Sequence, residues 1–327
     1  MSKKKKIIIS IISIVVVLAI VGGSVAAYIL RFAKDEGDTE ELFLKNVESV
    51  GYTNTIETAI PQTELYDVIN SHFNSELPDG KTEKKAIVLG YDGCRADVLK
   101  YTQKNSAINK LLDDGAELKL SYCGGVNYPE KNTQDTSTAP GWCSILTGQW
   151  ADVHGITGNG IPKSLDTKTI MTTLTENKVI DSASFITRWK GHFENDDSTY
   201  INEKAYCEEN NLNVSFNRCK NDEESHVFTL NEVKKDACSD FIFVIYEHTD
   251  ATGHDYGFTI NNPKYREAFA QEDTYALEVI EAIEKRETYD TEDWLIIITS
   301  DHGGIGTDHG NDSIQERMTF IVANKDY

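Results

Sequence analysis

The stretch WLIIITSDHGG, residues 294–304, decides how the chain folds. Its first half is an unbroken apolar, β-branched run, which fits a strand buried on both faces of a parallel sheet; a half-exposed strand would alternate. Its second half stops at Asp301 and His302, two side chains able to bind a cation, and two glycines then let the backbone approach something closely. Two other runs share this build: AIVLGYDG, 86–93, ends at Asp92, and FIFVIYEHTD, 241–250, ends at Asp250. TFIVAN, 319–324, is expected to be the last strand.

Helical patterns separate these runs: SAINKLLDDG at 106–115, TKTIMTTLTEN at 167–177 and YREAFAQEDTYALEVIEAIEKR at 265–286. Alternating strands and helices predict an α/β fold, a mostly parallel sheet with helices on both faces. Ligands of such sheets bind beyond the carboxyl ends of the strands. Asp92, Asp250 with His254, and Asp301 with His302 collect at that edge.

The amino terminus stands apart. Lys3 to Lys6 precede an uncharged run from Ile7 to Leu30, the roughly 20 residues needed to cross a bilayer. Residues 1–31 are therefore expected to be a transmembrane anchor or an uncleaved signal, with SVAA at 24–27 as the alternative cleavage site. The lysines keep the amino terminus in the cytoplasm and place the rest of the chain outside it, or secrete that part if the segment is cleaved. Residues 32–82 are expected to form a stalk and a packing helix, TELYDVINSHFNS, and residues 83–327 the functional domain.

Composition narrows the partners. Lys and Arg total 32 against 53 Asp and Glu, a formal charge of −21. Such a surface repels duplex nucleic acid, whose binding depends on neutralising phosphates. Six cysteines contain no CxxC pair, which argues against a thiolate zinc site. In an exported protein, Cys207 and Cys219 would close the shortest disulfide loop.

Two more segments carry chemistry. STAPGWCSILTG, 137–148, reads as a helix start with Ser or Thr at its cap and Pro140 in the first turn. GTDHGN, 306–311, adds His309 in another Gly-rich stretch. Asp92, Asp250 and Asp301 with His254, His302 and His309 make three carboxylates and three imidazoles, all expected on loops. That is the donor set zinc takes, enough for two ions with three protein ligands each and open positions for substrate. Paired ions of this kind clamp the attacking and leaving oxygens of an in-line displacement.

Taken together, YDG, then T-x-P with TG and HGI downstream, D-x-x-G-H-x-x-G, SDHG and a later H-G resemble the alkaline phosphatase superfamily. The closest likeness is to its nucleotide pyrophosphatase/phosphodiesterase branch, over roughly residues 84–320. The resemblance implies Thr138 as nucleophile, two residues before Pro140, forming a phospho-threonine intermediate. It implies one zinc on Asp250, His254 and His309, and a second on Asp92, Asp301 and His302 that also binds Thr138. The first turn of the Thr138 helix would turn its free N–H groups to the phosphoryl oxygens. After the proline the chain has Gly141 and Trp142, where members of the family carry an Asn.

The expected activity is a two-metal, extracytoplasmic phosphodiesterase or pyrophosphatase acting on nucleotides or lipid head groups. The alternatives are a membrane-anchored phosphotransferase of the same superfamily and a non-catalytic binding protein on this fold. A sulfatase would need Cys or Ser at position 138. Arg188 and Lys190 are candidates to neutralise phosphate, and His154 and Asn159 to fix the loop after the nucleophile helix.

Overall fold

The computed structural model describes residues 37–126, 133–160, 164–165 and 167–326. The expected membrane segment, Ile7–Leu30, lies outside the described residues. Among the described residues no helix is long and apolar enough to cross a membrane.

Eight strands form one sheet: β1 (Ile60–Pro61), β2 (Glu83–Tyr91), β3 (Glu117–Tyr122), β4 (Ala183–Thr187), β5 (Val214–Arg218), β6 (Phe241–Tyr246), β7 (Glu292–Thr299) and β8 (Met318–Ala323). Their order is β1-β3-β8-β7-β2-β6-β4-β5. All pairs are parallel except those of β8, which runs antiparallel to both β3 and β7. The three runs that ended in Asp or His are thus three adjacent central strands, β7, β2 and β6. Buried on both faces, they need no polar alternation, which is why their sequences read as continuous apolar runs.

The helices, in chain order, are α1 (Glu40–Glu48), α2 (Glu64–Asn74), α3 (Ala107–Asp113), α4 (Thr138–Thr147), α5 (Ala151–His154), α6 (Ile170–Glu176), α7 (Ile201–Glu209), α8 (Asp222–Val233), α9 (His248–Tyr256), α10 (Pro263–Glu284) and α11 (Ile314–Arg317). Successive strand residues point to opposite faces, and the core divides accordingly. Ile87, Leu89, Ile242, Val244 and Ile298 pack under α3 and α10. Ala86, Val88, Phe243, Ile245 and Ile297 pack under α2, α4 and α6. The expectation of helices on both faces is met.

The segment read as a stalk is packed from Asp38 onward. Phe43 and Val47 of α1 join Ala96, Leu120 and Met318 in a third apolar cluster, and Tyr52 Oη donates to the Ala96 carbonyl at 2.8 Å. The expected Cys207–Cys219 disulfide is absent. All six cysteines are free and buried, and these two belong to the cores on opposite faces of the sheet. Nearness in sequence misled here, because β5 passes between them.

Candidate active site

Tyr91 of β2 leads straight into Asp92, Thr299 of β7 into Ser300, Asp301 and His302, and Tyr246 of β6 into α9 with Asp250 and His254. His309 arrives from the loop before α11. All six expected ligands converge. In an inner set, His302 Nε2 lies 3.4 Å from Asp92 Oδ1 and 3.5 Å from Asp301 Oδ2. In an outer set, Asp250 Oδ2 is 3.5 Å from His254 Nε2, and Asp250 Oδ1 is 3.5 Å from His309 Nε2. The Nε2 atoms of His254 and His309 are themselves 3.1 Å apart.

The two sets share an edge. Ligand atoms of Asp250, His302 and His309 fall within 4.8 Å of one another, and the His302 and His309 rings stand 4.1 Å apart. Asp92, Asp301 and His302 are buried, whereas His254 is exposed. The outer set therefore lies nearer the solvent.

Asp250 and His254, expected on a loop, lie instead on α9, four residues apart and so on one helical face. The stretch HTDATGHDY has little intrinsic helical preference. Its start is held by buried carboxylates from other elements. Glu272 Oε1 of α10 accepts from Thr249 N at 2.9 Å, and Asp222 Oδ1 of α8 from Glu247 N at 3.0 Å. Tertiary caps impose this helix, and no local signal announces it.

Each imidazole is oriented by its other nitrogen. Nδ1 of His254, His302 and His309 lies 3.0, 2.7 and 3.0 Å from the carbonyls of Thr307, Gly303 and Thr136. A carbonyl can only accept, so Nδ1 of each ring carries a proton, and Nε2 is the nitrogen turned to the centre. With both Nε2 atoms unprotonated, the 3.1 Å approach of His254 and His309 sets lone pair against lone pair, which a cation between them would relieve. Asp250 Oδ1, Asp301 Oδ2 and His302 Nε2 are also buried without a hydrogen-bond partner, although buried polar atoms are nearly always paired. Carboxylate oxygens and imidazole nitrogens so arranged fit divalent metal ions.

Burial and mutual charge shift these side chains strongly. Burial pushes Asp250 up to about 6 and Asp301 well above the usual carboxylate range, with the charge of Asp92 adding to both. Burial also opposes the charged form of His302, but Asp301 and Asp92 outweigh it and raise the ring to about 10. Burial, joined by the charges of His302 and His254, lowers His309 far below its ordinary value. Burial acts to raise Asp92 as well, yet the adjacent His302 and the Trp142 N–H hold it below the usual range. Three carboxylates crowded this closely compete for positive charge.

Thr138 is the first residue of α4 and is buried. Its Oγ1 donates to Asp92 Oδ1 at 3.3 Å. Neighbouring hydroxyls turn elsewhere: Thr136 Oγ1 bonds the Asn311 carbonyl and Gly310 N, and Ser137 Oγ is buried without a partner among the described residues. The expected row of free helix N–H groups is not there. Ala139 N donates to Asn159 Oδ1 at 2.7 Å, Pro140 has no N–H, and Gly141 N donates to the Ser137 carbonyl at 2.9 Å. Asn159 thus reaches the start of α4 beside Thr138, closer to the site than its reading as a loop brace implied. His154 does brace that loop, accepting from Ile156 N and meeting Ser144 Oγ.

Arg188 follows β4 and lies 3.2 Å from Asp222 and 3.5 Å from Glu247, so its charge is matched within the fold. Trp142 was visible in the sequence only as a departure from a motif. It is fully buried, and its Nε1 donates to Asp92 Oδ2 at 3.0 Å.

Known proteins resemble the chain in sequence and in fold. The family model for type I phosphodiesterase / nucleotide pyrophosphatase matches residues 86–324. A curated relative, the bis(5'-adenosyl)-triphosphatase enpp4 of Xenopus laevis, is 27% identical over 243 residues, 70% of this chain and 49% of that protein. The chain spans about half the length of this curated relative. Among solved structures, murine ectonucleotide pyrophosphatase / phosphodiesterase 5 in complex with AMP aligns at 18% identity and a TM-score of 0.48, covering 68% of this chain and 57% of that one. The C-terminal periplasmic domain of EptC from Escherichia coli, in complex with Zn, aligns at 12% identity and a TM-score of 0.45, covering 76% and 74%. The match of the family model over most of the chain, a span that includes all seven candidate residues, shows that the chain belongs to the type I phosphodiesterase / nucleotide pyrophosphatase family.

Proposed function

We propose that the chain is a metal-dependent hydrolase of phosphodiester or pyrophosphate bonds, with Thr138 as its nucleophile. The observation that carries this is the placement of the Thr138 hydroxyl, 3.3 Å from Asp92 Oδ1 at the start of a buried helix, beside three imidazoles that all turn Nε2 inward. The curated relative is named as an enzyme that splits a dinucleoside triphosphate, which favours diesters and pyrophosphates over monoesters.

Asp250, His254 and His309 would hold one divalent cation, and Asp92, Asp301 and His302 the other, both taken to be zinc. When bound, the pair supplies Lewis-acid stabilisation of the nucleophilic and leaving oxygens. Thr138 Oγ forms a bond to phosphorus as the bond to the leaving oxygen breaks. The hydroxyl proton passes by way of water to the departing oxygen. Asn159, its Oδ1 fixed by Ala139 N, leaves its amide nitrogen as a donor for a phosphoryl oxygen. Water then attacks the phospho-threonine, and Thr138 recovers its proton. The lysine-flanked apolar run before Arg31 supports a membrane anchor with this chemistry outside the cytoplasm.

Turnover of bis(p-nitrophenyl) phosphate by zinc-loaded protein, set against p-nitrophenyl phosphate and the Thr138→Ala variant, tests the reading. Diester hydrolysis exceeding monoester hydrolysis, and lost in the variant, is expected. No hydrolysis of either ester by the zinc-loaded protein contradicts it.

A further inference from the structure

Gly141 and Trp142, the residues that replace an expected Asn, both touch the inner ligand set. Trp142, on α4, lays its ring over Gly90 of β2. A Cβ built on Gly90 would fall 2.4 Å from its indole ring, and Phe243 meets that ring edge-on at 5.6 Å. Pinned between them, the indole has one orientation, and that orientation aims Nε1 at Asp92 Oδ2, 3.0 Å away. The other oxygen, Oδ1, is left to Thr138 Oγ1 at 3.3 Å and His302 Nε2 at 3.4 Å. The two oxygens of one carboxylate therefore have separate duties.

Gly141 serves the neighbouring ligand. A Cβ there would sit 2.9 Å from both Cβ and the carbonyl oxygen of Asp301, so only glycine lets α4 press this close. Asp301 shows the same division as Asp92. Its Oδ1 accepts from Gly93 N at 3.2 Å, while Oδ2 faces His302 Nε2 at 3.5 Å with no hydrogen-bond partner.

We propose that Trp142, in the space Gly90 leaves over β2, is a positioning residue that holds Asp92 in a one-oxygen orientation for the inner cation. This rests on the two-cation reading of the site. An indole suits the task because it buries as an apolar group yet carries a donor that cannot accept or change charge. Partners of this kind orient metal ligands, and their loss costs roughly 10- to 100-fold in metal affinity or activity. A Trp that only filled the core would influence stability and leave the two metal steps alike.

The test titrates full-length protein, stripped by chelator, with Co²⁺ followed by its visible absorption and with Zn²⁺ in competition with a chromophoric chelator. Two proteins are compared with wild type: Trp142→Phe, and a protein with 3-benzothienylalanine at position 142, which keeps the shape of the indole and lacks the N–H. Both should lose about 10- to 100-fold in affinity at one of two steps, leave the other unchanged, and show an altered Co²⁺ spectrum for the weakened step. Two unchanged steps in the 3-benzothienylalanine protein overturn the proposal, as does equal weakening of both steps in Trp142→Phe alone. If wild type takes up fewer than two cations, the two-cation reading fails, and this inference with it.

Discussion

Three hydroxyls stand in a row at 136–138, and their bonding separates them. Thr136 is spent on the backbone of the His309 loop, Ser137 meets no ligand atom, and Thr138 reaches Asp92. Thr138→Ala should lower kcat for a diester by at least about 10³-fold, since removing a nucleophile removes the covalent route. Ser137→Ala should retain activity within about 10-fold. Steady-state kinetics with bound metal measured in each variant checks this, and metal content should match wild type in both. The T-x-P spacing, through the family resemblance, pointed to Thr138, and the fold places that residue beside Asp92. The role of Asn159 at Ala139 N was not legible in the sequence, because 20 residues separate them and only the fold of the loop brings the amide back.

Elements place these residues through contacts that lie outside them. Arg95 is fully buried between Asp38 and Asp97, with bonds of 2.6 to 3.0 Å, and also donates to the carbonyls of Phe258 and Gly304 in the loops that follow His254 and His302. Arg95→Met strands two buried carboxylates and should cost about 3–5 kcal/mol by urea denaturation, the usual toll of breaking a buried pair. The exposed Lys285–Glu281 pair on α10 offers a contrast: Lys285→Ala should cost no more than about 0.5 kcal/mol. Helix α9 depends similarly on Glu272, whose carboxylate takes both Thr249 N and Thr249 Oγ1. Glu272→Met leaves those donors buried and unpaired, at a cost of about 1–3 kcal/mol. Weaker metal binding by the outer set should accompany it. The buried strands were legible because their pattern is dictated by burial on both faces. The helix at α9 was not, because its caps come from α8 and α10, far away in sequence.

At the scale of the whole molecule, three adjacent central strands deliver the ligands to one edge while the opposite edge carries charge pairs that matter for stability. There Glu292 opens β7 and accepts from Arg286, Thr288 and Trp294 at 2.7 to 3.1 Å. Burial works to raise its carboxyl, but these bonds outweigh it and hold the group down at about 2. A depressed carboxylate stabilises the fold fully above its unfolded value, near 4.5, and loses that contribution as pH falls toward 2. Urea midpoints measured from about pH 5 to about pH 3 should therefore fall more steeply in wild type than in Glu292→Gln. The parallel core and its ligand-bearing edge followed from three sequence runs. The antiparallel entry of β8 did not, since TFIVAN records burial and carries no mark of direction. Nor did the separation of Cys207 from Cys219, which a sheet imposes and spacing conceals.

The central claim is that six side chains hold two cations beside Thr138. Anomalous diffraction at the zinc edge, from crystals of the zinc-loaded protein, tests it most directly. Two peaks about 3.5 to 4 Å apart are expected, one among Asp250, His254 and His309 and one among Asp92, Asp301 and His302, with the second in reach of Thr138 Oγ. A single peak, or none, at these side chains in zinc-saturated crystals would contradict the account.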